Sequence, residues 1–269
     1  MGRATKSADN RLMNFLILLL VAAFGLVMGS AVTSLAHRVP RDRSWVRGRS
    51  ACTSCGAQLG ALDLVPLLSF LASRGRCRHC GARIAWRYPF TEVLCAAWAV
   101  LLFRAIGLTA SYPFLALWGF LLIALMWIDL DFQLLPDVLT FPGTLVALAA
   151  ALQWPQGAHH ALLGVLAGSG LLWALAWAWE HFRRMEGMGG GDIKLAAMFG
   201  VVLGWKLSLL AVLLAAFAGS VWGLVLISRG AGNGKTALPF GTLLAPAAMF
   251  AFLYGEELKN AYLHLFAGG

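Results

Sequence analysis

Two groups of aspartates stand beside apolar runs in this chain, and their side chains are suited to acid–base chemistry. Asp192 follows the glycines 189–191 and begins one apolar run. Asp129 ends another apolar run, and Asp137 precedes the next one. A carboxylate near the hydrocarbon of a bilayer is costly, so such a residue suggests a functional site with a nearby partner. We predict that Asp137 is the partner of Asp192.

A pair of neighbouring carboxylates predicts hydrolysis by general acid–base catalysis. In a partly dry site the two groups do not both ionise easily, and they tend to share one proton. One carboxylate can take a proton from a water that attacks a peptide carbonyl, while the other protonates the carbonyl oxygen. Gly189 and Gly191 fit this chemistry, because a residue without a side chain lets a substrate backbone or a facing helix approach Asp192 closely.

A simpler interpretation is that these aspartates only cap helices at the membrane surface. The positive end of a helix dipole stabilises an ionised carboxylate, and both Asp137 and Asp192 stand where a helix is expected to begin. For Asp131, helix capping is a sufficient explanation. Asp129 can be either a solvated residue or a residue that supports the catalytic pair. For Asp137 and Asp192 we favour catalysis, because two acidic helix starts are predicted on the same side of the membrane.

The composition predicts an all-α, polytopic integral membrane protein. Of the 269 residues, 60% are hydrophobic and only 12% are charged, and the mean hydropathy is +0.76. That is more apolar surface than one soluble core of this length can bury. A membrane-spanning helix needs about 20 residues, so short apolar runs must extend into their flanks. We expect about eight transmembrane helices, near residues 12–36, 89–106, 112–128, 139–152, 161–179, 195–203, 207–227 and 238–254.

One polar insert, residues 38–88, separates an N-terminal tail and first span (residues 1–37) from a transmembrane region (residues 89–269). It holds ten of the 21 lysines and arginines, and such residues concentrate on the cytoplasmic side of membranes. The insert and both acidic groups are therefore predicted to face the cytoplasm. A cleaved signal peptide ending near residue 36 is the alternative, although its apolar run is longer than usual. The net charge of +9 then reflects topology, and no basic motif indicates nucleic-acid binding.

The insert carries two CxxC pairs, which predict a structural Zn²⁺ site. Twenty-one residues separate the pairs, a spacing typical of four-cysteine zinc sites. An insert this small buries little core, so the metal would supply part of its folding free energy. Two disulfides are the alternative, but they require an oxidising compartment, which conflicts with the predicted topology. We call residues 38–88 the zinc module, and its expected ligands are Cys52, Cys55, Cys77 and Cys80.

Several short motifs follow one another in a fixed order along the chain. They are Gly29-Ser30 with Arg38-Val39-Pro40, the two CxxC pairs, Arg87-Tyr88-Pro89 with Glu92, Asp129 through Leu135-Pro136-Asp137, Gly189 through Leu195, and Pro239-Phe240-Gly241. Together they resemble the bacterial type IV prepilin peptidases, which are membrane aspartic proteases of the GxGD type. The resemblance covers nearly the whole chain.

The resemblance implies a substrate, a location and site residues. The substrates would be prepilins or pseudopilins, cut at the cytoplasmic face of the bacterial inner membrane just before their hydrophobic helix. Asp137 and Asp192 would be the catalytic pair, and Asp129 and Lys194 would be supporting residues. Nothing in the resemblance indicates an oligomeric state.

The resemblance also implies a second activity, methylation of the new N-terminus with S-adenosylmethionine. No glycine-rich nucleotide motif identifies the residues that would bind this cofactor. Where the family usually has Gly-Ser-Phe-x-Asn, this chain has Ala31 and Thr33 in place of the aromatic residue and the amide. This departure bears on methylation, whereas the residues expected to cleave the substrate are present.

Three other functions are compatible with the same residues. A GxGD peptidase acting on other membrane peptides differs only in its substrates. A transporter would use its intramembrane carboxylates to carry protons or cations, and would be expected to show an internal repeat, which the sequence does not show. A non-catalytic assembly scaffold predicts that both aspartates tolerate replacement by asparagine.

Overall fold

The computed structural model describes residues 2–44, 50–184, 189–231 and 238–267, and in these residues the regular structure is helical. Two isolated β-bridges, both in the zinc module, are the exceptions there. The all-α prediction is confirmed. The helices are α1 (Gly2–Arg38), α2 (Leu68–Ala72), α3 (Arg87–Ile106), α4 (Tyr112–Phe132), α5 (Asp137–Ala151), α6 (Gly157–Arg183), α7 (Gly190–Ser228) and α8 (Gly241–Ala267).

Five helical segments are long and apolar enough to cross a membrane, which confirms a polytopic membrane protein. α5 is apolar but shorter, and the count of eight spans stays a prediction. The apolar outer surfaces of these five segments suit a lipid bilayer, because hydrocarbon chains surround them where water would surround a soluble protein. The five segments are Arg11–Arg41, Arg87–Ile106, Tyr112–Phe132, Gly157–Phe182 and Gly190–Ser228.

Helix α7 contains two of the spans expected from the sequence, 195–203 and 207–227. Gly204 separates them with a non-helical backbone, φ 65° and ψ −177°. The ring of His160 lies beside this break, where it would be 2.3 Å from a Cβ at position 204. Its Nε2 also lies 3.2 Å from the carbonyl oxygen of Val202. A glycine is required here by both the positive φ and the close approach of the ring.

The chain divides into two compact units, residues 1–108 and 109–269. In the first unit α1 packs against α3. A Cβ at Gly25 would lie 2.5 Å from the Cα of Ala96, and a Cβ at Gly29 would lie 2.4 Å from the Cα of Glu92. The two helices therefore touch backbone to backbone. The division into residues 1–37, 38–88 and 89–269 stays a prediction.

In the second unit α7 packs against α5, α6 and α8, and α4 packs against α5 and α8. Gly164 of α6 and Gly200 of α7 meet so closely that a Cβ at Gly164 would lie 1.9 Å from the Gly200 carbonyl oxygen. The buried indole of Trp118 on α4 donates a hydrogen bond to the carbonyl oxygen of Met198, at 3.3 Å. These contacts hold the first turns of α7, where Asp192 lies, in a packed core.

Candidate active site and metal site

Asp192 lies in the first turn of α7. The residue that precedes the helix, Gly189, has an extended backbone, and its carbonyl oxygen accepts a hydrogen bond from the Asp192 N–H at 3.1 Å. The Asp192 side chain is half-buried. A Cβ at Gly189 would approach only the Asp192 carboxylate, at 3.9 Å, and a Cβ at Gly190 would meet nothing within 4 Å. These two glycines leave open space beside Asp192.

Gly191 has a different environment from its two neighbours. A Cβ added there would lie 2.9 Å from the Cβ of Leu135, in the segment between α4 and α5. Gly241, at the start of α8, approaches the same leucine, since its Cβ would lie 3.0 Å from the Leu135 Cδ1. Leu135 therefore packs between the starts of α7 and α8.

Asp137 is the first residue of α5, after an extended Pro136 whose carbonyl oxygen accepts the N–H groups of Leu139 and Thr140 at 3.0 and 3.1 Å. Its carboxylate is paired with Lys194 of α7, with Nζ 2.6 Å from Oδ1 and 2.9 Å from Oδ2. About half of each side chain is exposed, 53% for Asp137 and 43% for Lys194. Such an exposed ion pair contributes about 0.2–1 kcal/mol, so its main effect is to position the two side chains.

Asp129, in the last turn of α4, is buried. Its Oδ2 accepts two hydrogen bonds from Thr242 at the start of α8, from the backbone N–H at 2.7 Å and from the hydroxyl at 3.0 Å. Gly241 allows this approach, because a Cβ there would lie 3.1 Å from the Asp129 Cγ. Thr242 was not predicted as a site residue from the sequence, although the Pro239-Phe240-Gly241 motif directly before it was an available signal.

The ends of four helices thus bring three acidic side chains to one part of the second unit. We call Asp129, Asp137 and Asp192 the carboxylate cluster. Within it, Leu135 packs against the glycines beside Asp192 and Asp129, and Asp137 forms an ion pair with Lys194. Asp129 and Asp192 are the more buried members, and neighbouring carboxylates in such a site share a proton readily. The cluster therefore has the chemistry of an aspartic hydrolase.

In the zinc module, four thiol groups converge in a geometry that fits one tetrahedral metal ion. The sulfurs of Cys52, Cys55, Cys77 and Cys80 all lie within 4.8 Å of one another, and those of Cys52 and Cys80 are 3.9 Å apart. Four sulfurs bound to one Zn²⁺ at about 2.3 Å would lie about 3.8 Å apart, so little movement is needed. All five cysteines of the chain are free thiols.

The two CxxC pairs fold into the same local structure. The N–H of Gly56 donates to the Cys52 carbonyl oxygen, and the N–H of Gly81 donates to the Cys77 carbonyl oxygen, both at 2.9 Å. Each glycine has a φ of 72°, a conformation that other residues adopt only with strain. The glycine after each pair is therefore what allows the chain to turn back beneath the sulfurs.

The thiols of the site differ in how easily they lose a proton. The backbone N–H groups of Cys55 and Ser54 lower the pKa of the Cys52 thiol to about 6. The N–H of Ala82 acts in the same direction on Cys80, but the neighbouring thiols and burial outweigh it and raise the pKa of Cys80 to about 11. Zinc binds thiolates, so the hydrogen bonds to Cys52 favour the form that binds the ion.

Loss of one thiol is expected to abolish zinc binding, because three thiols leave the tetrahedral set incomplete. We expect Cys55→Ser to reduce the bound metal from about one zinc per chain to less than about 0.1. Elemental analysis of the purified protein measures this, and Cys95→Ala, a change outside the site, is the matched control. One zinc per chain in the Cys55→Ser variant would contradict a four-cysteine site.

Models of known protein families match parts of both units. The model described as Bacterial Peptidase A24 N-terminal domain matches residues 23–106, and the one described as Type IV leader peptidase family matches residues 115–224. No solved structure matches the chain.

Proteins that are similar to this chain over most of its length are named prepilin leader peptidase/N-methyltransferase. The protein from Aeromonas salmonicida (strain A449) is 36% identical, over 91% of this chain and 93% of its own length. The Pseudomonas aeruginosa protein is 34% identical, over 91% and 92%. The Burkholderia pseudomallei (strain K96243) protein is 36% identical, over 86% and 83%. The chain belongs to the type IV leader peptidase family.

Proposed function

We propose that this protein is a membrane aspartic endopeptidase that removes the leader of type IV prepilins or pseudopilins and methylates the new N-terminus. The observation that carries the peptidase is the carboxylate cluster, where Leu135 packs against Gly191 beside Asp192 and against Gly241 beside the buried Asp129. Both activities agree with the name of the relatives, prepilin leader peptidase/N-methyltransferase. The names of the relatives favour the peptidase over the transporter and the scaffold.

The contacts support Asp129 as the second catalytic carboxylate beside Asp192, in place of Asp137, which the sequence favoured. Thr242 fixes the orientation of the Asp129 carboxylate through two hydrogen bonds to a single oxygen, Oδ2. Gly241 also lies against this carboxylate, so the start of α8 holds Asp129 in place. One member of the pair takes a proton from the attacking water while the other protonates the substrate carbonyl oxygen.

Asp137 acts in this proposal as a positioning residue. Its ion pair with Lys194 ties the start of α5 to the first turns of α7, two residues after Asp192. The Lys194 ammonium also lies over the Phe141 ring of α5, 5.6 Å from the ring centroid, which strengthens the same connection. Lys194 is then a supporting residue, the role that the resemblance implies for it.

The zinc module and the carboxylate cluster face the cytoplasm of the bacterial inner membrane in this proposal. The support is the charge distribution, with ten of the 21 lysines and arginines in the zinc module. The prepilin leader would meet this basic surface. For the second activity, S-adenosylmethionine supplies an electrophilic methyl group to the amine that cleavage releases, and Zn²⁺ has a structural role.

Gly191→Ala is expected to lower prepilin cleavage by about tenfold or more. The new Cβ meets Leu135 at 2.9 Å, so the start of α7 must shift, and small displacements of catalytic groups have large effects on rate. Gly190→Ala makes the same change where nothing lies within 4 Å, and it should cleave within about twofold of wild type. Rates of leader removal by the two variants test this, and equal rates would contradict the packing role of Gly191.

The experiment that tests the proposed function is mass spectrometry of a model prepilin incubated with the purified protein, with and without S-adenosylmethionine. Loss of the leader in both samples, and the added mass of one methyl group in one of them, is the expected result. A zinc-loaded protein that leaves the prepilin intact would overturn the peptidase. Leader loss without methylation would overturn only the second activity.

A further inference from the structure

The first unit contains a cavity of about 630 Å³ that the peptidase chemistry does not use. Its walls come from the last turns of α1, from the zinc module and from the first turns of α3. Pockets for small molecules commonly have volumes of about 300–1,000 Å³, so a ligand of nucleoside size fits. The carboxylate cluster lies in the other unit. The cavity is therefore available for a different ligand.

A buried carboxylate forms part of this cavity. Glu92 of α3 is only 9% exposed and lines the cavity wall. Its Oε2 accepts the N–H of Leu67 at 2.7 Å, and within the described chain this is the one hydrogen bond that the carboxylate receives. A carboxylate accepts about four hydrogen bonds when fully satisfied. Oε1 is therefore left for donor groups of a ligand.

The partner of Glu92 has an unusual backbone. Leu67 adopts φ 61° and ψ −48°, a region that residues other than glycine rarely enter. Conformations of this kind persist only where surrounding contacts hold them, and they concentrate at ligand sites. The hydrogen bond to Glu92 supplies such a contact, so this turn holds the carboxylate in place on the cavity wall.

Contacts between α1 and α3 place Glu92 on the cavity wall. Because Gly29 contacts the backbone of α3 at Glu92, the next turn of α1 lies beside that carboxylate, and Ser30 and Thr33 also line the cavity. The Thr33 hydroxyl donates to the Gly29 carbonyl oxygen at 2.9 Å. Thr33 is also a position at which this chain departs from the usual family motif. One of the two departures that bear on methylation, Thr33, therefore lies on the wall of this cavity.

The zinc module adds cations and aromatic rings to the cavity. Arg76 and Arg83 line it, and their backbones are paired in an isolated β-bridge beside the second CxxC pair. In the described residues neither guanidinium forms an ion pair, whereas Arg78 is paired with Asp63 at 3.3 Å. The rings of Phe70 and Tyr88 line the same space. The cavity thus offers a buried anion, two arginines and flat apolar surfaces.

This combination of groups matches the parts of one ligand. An adenine ring stacks on aromatic side chains, and a carboxylate forms bidentate bonds with arginine. Ribose hydroxyls, an ammonium and a sulfonium are all suited to an acidic partner. S-adenosylmethionine carries every one of these groups, so the residues present fit the methyl donor that the proposed function requires.

We infer that this cavity binds S-adenosylmethionine, with Glu92 as its anionic contact and with Arg76 and Arg83 as the partners of its carboxylate. The inference rests on the proposed methylation and assigns it a binding site in the first unit. Bound there, the donor is held by residues of α1, the zinc module and α3. Loss of zinc should then weaken donor binding, because the two arginines belong to the zinc module.

The test is calorimetric titration of S-adenosylhomocysteine, which has no methyl group to donate, into the full-length protein in detergent. Glu92→Gln keeps the shape and removes the charge, and it is expected to weaken binding at least tenfold. Ala85→Trp fills the cavity from an exposed position on its wall and should do the same. Matched controls are Glu180→Gln and Ala61→Trp, which make the same changes at exposed positions that do not line the cavity.

Zinc content and prepilin cleavage report separately on whether each variant is folded. Weakened binding by both cavity variants, with normal zinc and normal cleavage, supports the assignment. Wild-type binding by both of them would overturn the assignment and leave the methyltransferase intact. A wild-type protein that cleaves prepilin but neither binds S-adenosylhomocysteine nor methylates would overturn the assignment together with the methyltransferase half of the proposed function.

Discussion

Asp192→Asn should lower prepilin cleavage by about a thousandfold or more. General acid–base catalysis by a positioned side chain contributes about 10²–10⁴ in rate, and the asparagine amide can neither accept the proton from water nor return it. The two side chains have nearly the same shape. The half-buried site at the start of α7 should therefore keep its packing, and the loss should appear in turnover rather than in folding.

The measurement is the rate at which a model prepilin loses its leader in the presence of each purified variant. Asp131→Asn is the matched control, since Asp131 is an exposed aspartate in the last turn of α4. We expect this control to cleave within about twofold of wild type. Zinc content and recovery from membranes should be equal for all three proteins. Substantial cleavage by Asp192→Asn would remove this residue from the catalytic pair.

The parts of the fold that follow from local chemistry were predictable from the sequence. The two CxxC pairs form nearly identical turns, because hydrogen bonds within six residues and a glycine at positive φ determine them. Apolar runs identified the helices for the same reason, since a span in lipid must satisfy its own backbone. The position of Asp192 in the first turn of α7 also follows from the glycines that precede it.

Contacts between distant parts of the chain were not predictable. Thr242 binds Asp129 across 113 residues, and Leu67 binds Glu92 across 25. Neither partner has an unusual residue type, and only Thr242 stands next to a motif, Pro239-Phe240-Gly241. Such pairs depend on how helices pack, which a single sequence does not specify. The same limit explains why the sequence favoured Asp137 over Asp129 as the partner of Asp192.

The positions of Asp129 and Asp137 along the chain do not show which of them is catalytic, but their surroundings distinguish them. Asp129 is 5% exposed, whereas about half of the Asp137 side chain is exposed. A catalytic carboxylate works best where water is limited, because a dry site strengthens every electrostatic interaction within it. The ion pair with Lys194 engages both oxygens of Asp137, and Thr242 engages only one oxygen of Asp129. Asp129 is thus the more protected of the two carboxylates.

We therefore expect Asp129→Asn to lower cleavage by about a hundredfold or more, and Asp137→Asn to lower it by about tenfold or less. A positioning role for Asp137 makes a further prediction, since Lys194→Met should cause a loss similar to that of Asp137→Asn. The double variant should then be no worse than either single one, because both changes break the same ion pair. The rates of leader removal for these four variants decide between the two aspartates. A larger loss in Asp137→Asn than in Asp129→Asn would return Asp137 to the catalytic pair.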